Sequence, residues 1–166
     1  MAMSTTRWSF TLASDELPIA DLPARIEPFM RGGDDWATPW QFVRELEREF
    51  GPFDLDPCAT PRTAKAARFY TIEDDGPSQP WTGRVFCNPP YSNKELWLSK
   101  AIESAKAGAT VFMLLPASTE TAWFHDLVLP HASEVRFLRG RIRFLGYLGT
   151  EIPQPRNGSM LVIYRP

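Results

Sequence analysis

Cysteine and histidine are both scarce in this chain of 166 residues, which has two of each: Cys58, Cys87, His125 and His131. There is no CxxC pair and no HExxH, and neither histidine lies near a thiol in sequence, so no metal site is expected. Each thiol sits in or beside an apolar run, which suits a buried, reduced side chain in a reducing cytosol. Long hydrophobic runs are missing too. The longest, VFMLL at 111–115, falls far short of the ~20 residues that a membrane helix needs, and no basic-then-apolar leader opens the sequence. A cytoplasmic setting with no membrane partner is the expectation. Charge of one sign is also lacking, since 18 Lys and Arg against 20 Asp and Glu leave a net charge of −2. So neutral a body does not advertise a polyanion partner; a nucleic acid would have to be held by a local basic patch.

What is present suits one globular domain. The chain is long enough for a single sizeable core, and 43% of its residues are hydrophobic, six of them tryptophan. Residues 1–33 carry no sustained period and read as an arm, extended or flexible, closed by Gly32-Gly33. Residues 34–166 read as one domain. Thr38-Pro39 looks like a helix cap with proline at the first helical position. Phe42, Val43, Leu46 and Phe50 then form an apolar stripe, which Gly51-Pro52 stops. FDLD (53–56) reads as a short strand, and Thr60-Pro61 as a second cap before an Ala-rich helix to about Arg68. RVFC (84–87) is a strand. Leu98, Ala101, Ile102 and Ala105 mark a helix that Gly108 closes. TVFMLL (110–115) reads as a buried strand, Trp123 to Val128 as a helix ended by Pro130, 134–146 as a strand pair, and SMLVIY (159–164) as a last strand. Strands alternating with helices imply an α/β fold, a mostly parallel sheet with helices on both faces. The closing strands, with no helix between them, imply an antiparallel edge.

The chemistry concentrates where RVFC runs into Asn88-Pro89-Pro90-Tyr91. Ligands of doubly wound sheets sit beyond the carboxyl ends of strands, and Asn88 falls at such an end. Its side-chain oxygen can accept one hydrogen of an amino group and the Pro89 carbonyl the other. The proline rings keep both acceptors aimed, and Tyr91 offers a flat face to a heteroaromatic ring. This arrangement holds an exocyclic amine for direct transfer, with no enzyme nucleophile; the ordinary alternative is a Pro-Pro turn with Tyr91 merely packed. Arg136, Arg139, Arg141 and Arg143 supply a local basic patch, the last three on one face if the segment is extended. They read as phosphate or base contacts, or else as a charged sheet edge. His125 reads as structural. The loop 147–159, long and rich in Pro and Gly, is of a kind that often carries function.

Asn-Pro-Pro-Tyr, taken with DDWATPWQFVRELEREFGPFDLDPCAT, DGPSQPWTGRVFCNPPYSN, GATVFMLLPASTETAWFHD and VRFLRGRIRF, resembles the phage-type, Dam-like DNA N6-adenine methyltransferases from about Asp35 to Tyr164. The resemblance implies a Rossmann-like methyltransferase fold, S-adenosylmethionine as donor with no metal, and methylation of a flipped adenine in double-stranded DNA. It also implies a bacterial cell, with a phage or prophage source. Asn88, Pro89, Pro90 and Tyr91 would hold the adenine. Asp56-Pro57 matches an acidic-Pro cofactor motif after the first strand, and Thr38-Pro39 a helix start near the donor's carboxylate. Trp36, Ala59 and Asp75 are further candidates to line the cofactor, and Ser92 joins Arg139, Arg141 and Arg143 as a DNA contact. One departure stands out: DPCAT lacks the usual glycine-rich turn. Pro57-Cys58 resembles the nucleophile motif of cytosine-C5 enzymes but lacks their partner loop, so Cys58 reads as a small residue near the cofactor turn. Protein-glutamine methylation, cytosine-N4 methylation and a non-catalytic DNA-binding relative are the alternatives. Monomer and dimer are both open.

Overall fold

The structure is a computed structural model, and it describes residues 2–4, 36–146 and 156–166. Along the chain run β1 (Ala2–Ser4), α1 (Trp40–Phe50), β2 (Leu55–Asp56), β3 (Arg68–Phe69), β4 (Arg84–Cys87), α2 (Lys94–Lys106), β5 (Thr110–Pro116), a π-helical turn (Phe124–Val128), β6 (Glu134–Phe137) and β7 (Ser159–Tyr164). Six strands, β2 to β7, form one sheet with the three-residue β1 on its rim, in the order β1-β6-β7-β5-β4-β2-β3. Only the β5–β7 and β6–β7 pairs are antiparallel. The antiparallel strand is therefore not at the edge, as the sequence suggested. β7 lies between β5 and β6, and every residue from Ser159 to Tyr164 is buried. An all-apolar run of this kind has no face to give to water, so it belongs inside a sheet.

Alternation along the strands divides the core in two. Val85, Cys87, Val111, Met113, Leu115, Val162 and Tyr164 pack with α2 and the π-helical turn. Phe86, Phe112, Leu114, Leu161 and Ile163 pack with Phe42, Val43 and Leu46 of α1. Helices thus cover both faces, as expected of a parallel sheet buried on each side. The Tyr164 hydroxyl donates to the Leu127 carbonyl (3.1 Å), and burial pushes its proton affinity up.

Three local expectations fail, two of them because tertiary partners take the backbone or the side chain. Residues 60–68 form turns, not a helix. Thr60 and Thr63 hydrogen-bond each other, and the Lys65 N–H goes to the Asp56 carboxylate (3.0 Å) instead of up a helix. Pro39, not Thr38, occupies the cap position of α1, with its carbonyl accepting from Val43 N–H, and no side chain caps that end. Only 134–137 of the foreseen strand pair is a strand. Within it Arg136 is buried, paired bidentately with Glu49 of α1 and with Glu134. Gly108 does close α2, at φ +106°. Ala2–Ser4 runs parallel to β6. The rest of the arm from residue 5, and 147–155 of the Pro/Gly-rich loop, lie outside the described residues.

Candidate active site

The chain steps outward from β2 to β3 and returns on the other side of β2 as β4, so strand order reverses between β2 and β4. Open α/β sheets bind ligands beyond the carboxyl ends of the strands at such a reversal. Asp56 ends β2 and Asn88 follows β4; the strands are parallel, so both residues lie at the same end.

Asn88 is held by one half of its amide. Nδ2 donates to the Trp36 carbonyl at 2.7 Å, which fixes which way the amide faces. Oδ1 is left buried and without a hydrogen-bond partner. Such an orphan acceptor costs about 1–3 kcal/mol, and a ligand donor placed there removes that cost. The Trp36 ring meets Tyr91 edge-on, centroids 5.0 Å apart, and lies 6.0 Å from Phe144. Pro89 is buried; Pro90 and Tyr91 are half-buried. The Lys94 ammonium, at the start of α2, donates to the Tyr91 carbonyl (2.9 Å) while lying 5.4 Å over Trp123. A predicted catalytic motif and a predicted cofactor residue, 52 positions apart in sequence, thus share one hydrogen bond.

The neighbouring candidates converge on the same end of the sheet. The Thr38 hydroxyl is buried with no partner, a second orphan beside Asn88's orienting segment. Asp56 is buried, and Oδ1 and Oδ2 accept from the N–H groups of Cys58 and Lys65. Desolvation nevertheless outweighs those bonds and the nearby Lys65 charge, and raises its proton affinity to about pH 6. Through these bonds Asp56 clasps the DPCAT loop. Pro57 is buried, and Ala59 N–H reaches the Tyr70 carbonyl (3.0 Å). Against this loop packs the turn holding Asp75, which is exposed in the left-handed region at φ +52°. The next residue must be glycine, since a Cβ on Gly76 would stand 2.1 Å from the Pro57 carbonyl oxygen.

Arg139, Arg141 and Arg143 are exposed; Arg141 and Arg143 alternate with buried Ile142 and Phe144 and share an outward face, while Arg139 is set apart by exposed Gly140 at φ +79°. Reciprocal hydrogen bonds between Ala37 and Leu145 (2.8 and 3.1 Å) fasten this segment beside Trp36. Arg136 does not belong to the patch: its bonds to Glu49 first, then Glu134, hold it inside the fold and raise its proton affinity. Ser92 is exposed one residue past the motif. Cys87 is buried, and burial pushes its thiol well up; Cys58 is half-buried. His125 is exposed. One residue escaped sequence reasoning. Lys65 is buried with its ammonium 4.5 Å over Trp40, joining the Asp56 loop to the start of α1; nothing in an Ala-rich run signalled it. Two shallow hollows of about 360 and 450 Å³ lie along α1 and at the amino ends of β3 and β4, and neither touches Asn88. The strand reversal and the orphan acceptors locate the site better than concavity does.

The model of the family described as DNA N-6-adenine-methyltransferase (Dam) matches residues 29–166. The DNA N-6-adenine-methyltransferase of Haemophilus phage HP1 is 37% identical over 138 residues, covering 80% of this chain and 79% of its own length. That of Escherichia phage T1 is 30% identical over 151 residues, covering 80% of this chain and 63% of its own. A putative methyltransferase of Escherichia coli K12, YfdM, is 38% identical over 66 residues, 36% of this chain and 72% of its own length. No solved structure matches the chain.

Proposed function

The chain belongs to the DNA N-6-adenine-methyltransferase (Dam) family, and from that premise we propose that it methylates N6 of an adenine flipped out of double-stranded DNA, with S-adenosylmethionine as donor. The observation that carries this reading is the Asn88 amide, pinned through Nδ2 and presenting a buried, unpartnered Oδ1 at the strand reversal. Oδ1 and the Pro89 carbonyl accept the two amine hydrogens. The amine lone pair then points away from both acceptors, and Tyr91 stacks on the ring. Because Oδ1 is shut from water, the 88–91 turn shifts to admit the base. An adenine inside a duplex cannot reach such a pocket without leaving the stack.

The donor, when bound, supplies an electrophilic methyl on a sulfonium sulfur. The residues present fit it. The orphan Thr38 hydroxyl lies beside the positive end of α1, a place that favours a carboxylate. Trp36, Pro39, Asp56, Pro57, Ala59 and Asp75 complete the lining, Asp56 as the clasp of the loop. Asn88, Pro89 and Tyr91 contribute position and orientation, and the amine loses its proton to water once it has attacked the methyl carbon, whose bond to sulfur breaks. Residues 34–166 are the catalytic domain, and the fold is Rossmann-like, supported by β7 inserted antiparallel between β5 and β6 and by helices on both faces. Ser92, Arg139, Arg141 and Arg143 meet the DNA backbone, and the working place is the cytoplasm of a bacterial host.

The test is incubation with a tritiated methyl donor and DNA, RNA or protein acceptors, followed by digestion to nucleosides or amino acids. Label is expected in N6-methyladenine of DNA. Asn88→Ala should lower transfer by roughly 100-fold or more, the scale of an oriented polar group at a reacting centre, while calorimetric donor binding changes less than about threefold. Label confined to glutamine or cytosine, or an Asn88→Ala variant with unchanged turnover, would refute the proposal.

A further inference from the structure

We propose that Leu145 is the wedge that fills the duplex when the target adenine leaves its stack; this rests on the DNA reading above. Proteins that distort DNA often insert an apolar side chain between base steps, and flipping a paired base costs a few kcal/mol of unstacking and unpairing. A wedge needs three properties: an apolar tip exposed to solvent, cations around it that seat the backbone phosphates, and a fixed position relative to the pocket.

Four large apolar side chains are exposed among the described residues: Trp40, Ile72, Leu96 and Leu145. The Trp40 ring already has the Lys65 ammonium 4.5 Å above it. Ile72 precedes Glu73, Asp74 and Asp75, all exposed, a run that repels phosphate. Leu96 follows Glu95, which pairs with Lys94. Leu145 alone continues an outward alternation with arginines, Arg141 and Arg143, with exposed Arg139 nearby in the chain, while the intervening Ile142 and Phe144 anchor the segment in the core.

Its position is fixed as well. Leu145 N–H donates to the Ala37 carbonyl and Ala37 N–H to the Leu145 carbonyl. Ala37 adjoins Trp36, whose carbonyl holds Asn88 and whose ring holds Tyr91. Two hydrogen bonds and one peptide bond therefore link the wedge to the amide that receives the base. Pushing at Leu145 and receiving at Asn88 are joined through residues 36 and 37. A leucine at the surface gains nothing for the fold by standing in water, and its exchange for alanine leaves the core intact.

The experiment compares two duplexes of one sequence that the wild-type protein methylates, each with its target adenine unmethylated, the first with thymine opposite that adenine and the second with an abasic site there. The second supplies an adenine already unpaired. Leu145→Ala is expected to lose about tenfold or more in methyl transfer on the paired duplex, the scale of a partly forfeited unstacking energy. On the abasic duplex it should stay within about threefold of wild type. With 2-aminopurine at the target position, the fluorescence rise on binding should shrink in Leu145→Ala and persist in Leu145→Met. If the variant matches wild type on both duplexes, or loses equally on both, the wedge is wrong while the DNA reading stands. If the wild-type protein labels adenine in neither duplex, the DNA reading falls, and the wedge with it.

Discussion

Replacing Asp56 by Asn tests whether this carboxyl is a buried clasp. In the fold its pKa rises from the usual 3.8 to about 6, chiefly through desolvation, against the opposing N–H bonds of Lys65 and Cys58 and the Lys65 charge. The folded state therefore holds a proton between about pH 4 and 6 that the unfolded chain has released. Stability from this group is complete below the unfolded value and is lost as pH climbs through the folded one. That rise corresponds to about 3 kcal/mol. Asparagine removes the titration but brings a second donor where two N–H groups need acceptors, which costs about 1–3 kcal/mol. The assay is urea unfolding of both proteins from pH 4 to 7.5, taking the difference in stability at each pH so that the other titrating groups cancel. Wild type should gain on Asp56→Asn by about 3 kcal/mol as pH falls across that window. If the difference is flat, or wild type loses ground on acidification, the two N–H bonds outweigh burial and the reasoning fails.

Trp36→Ala removes the edge-on partner of Tyr91 and should cut kcat by about tenfold, a positioning loss, with the unfolding midpoint moved little; steady-state kinetics against a melting curve separates the two. Arg139→Ala with Arg143→Ala should weaken DNA binding on every sequence alike and reduce the slope of log affinity against log salt by about 2, as read by fluorescence anisotropy. Gly76→Ala drives a Cβ into the Pro57 carbonyl and should destabilise by about 2 kcal/mol or more, within the range of overpacking, with donor affinity falling in the fraction that folds. Arg136→Met takes the guanidinium from exposed Glu49 and leaves Glu134 with Arg165 alone; it should cost about 1 kcal/mol in urea unfolding, the scale of a partly exposed ion pair, with the salt slope of DNA binding unchanged.

Where neighbours in sequence decide the conformation, the chain was legible. The α1 stripe of Phe42, Val43 and Leu46, the buried run of β5 and the Gly108 stop at φ +106° follow from spacing and from one backbone preference. Where distant partners decide, it was not. The Ala-rich stretch 60–68 has good helix propensity, yet Asp56 takes the Lys65 N–H, and one buried carboxylate with its loop outweighs the few tenths of a kcal/mol per residue that propensity offers. Arg136 looked like its three neighbours, and only Glu49, 87 residues earlier, sets it apart. The Asn88 acceptor was legible as chemistry, but its orientation was not, because that depends on a carbonyl 52 residues away.

If Asn88 receives the base as proposed, that orientation also decides which bases the pocket can take. With Nδ2 committed to the Trp36 carbonyl, Asn88 offers only an acceptor, and the Pro89 carbonyl offers another. A keto oxygen brought to this point, such as thymine O4 or guanine O6, would set acceptor against acceptor, whereas adenine N6 and cytosine N4 each bring two donors. Two acceptors therefore separate amino from keto bases and do nothing to separate adenine from cytosine. That second choice has to come from the ring, and the groups able to feel ring size are the Tyr91 face and the Trp36 edge braced on Phe144. Loosening that brace should relax the preference of adenine over cytosine while keto bases stay refused, so the ratio of N6-methyladenine to N4-methylcytosine formed by Trp36→Ala reads the division of labour directly. A ratio equal to that of wild type would place the size filter elsewhere.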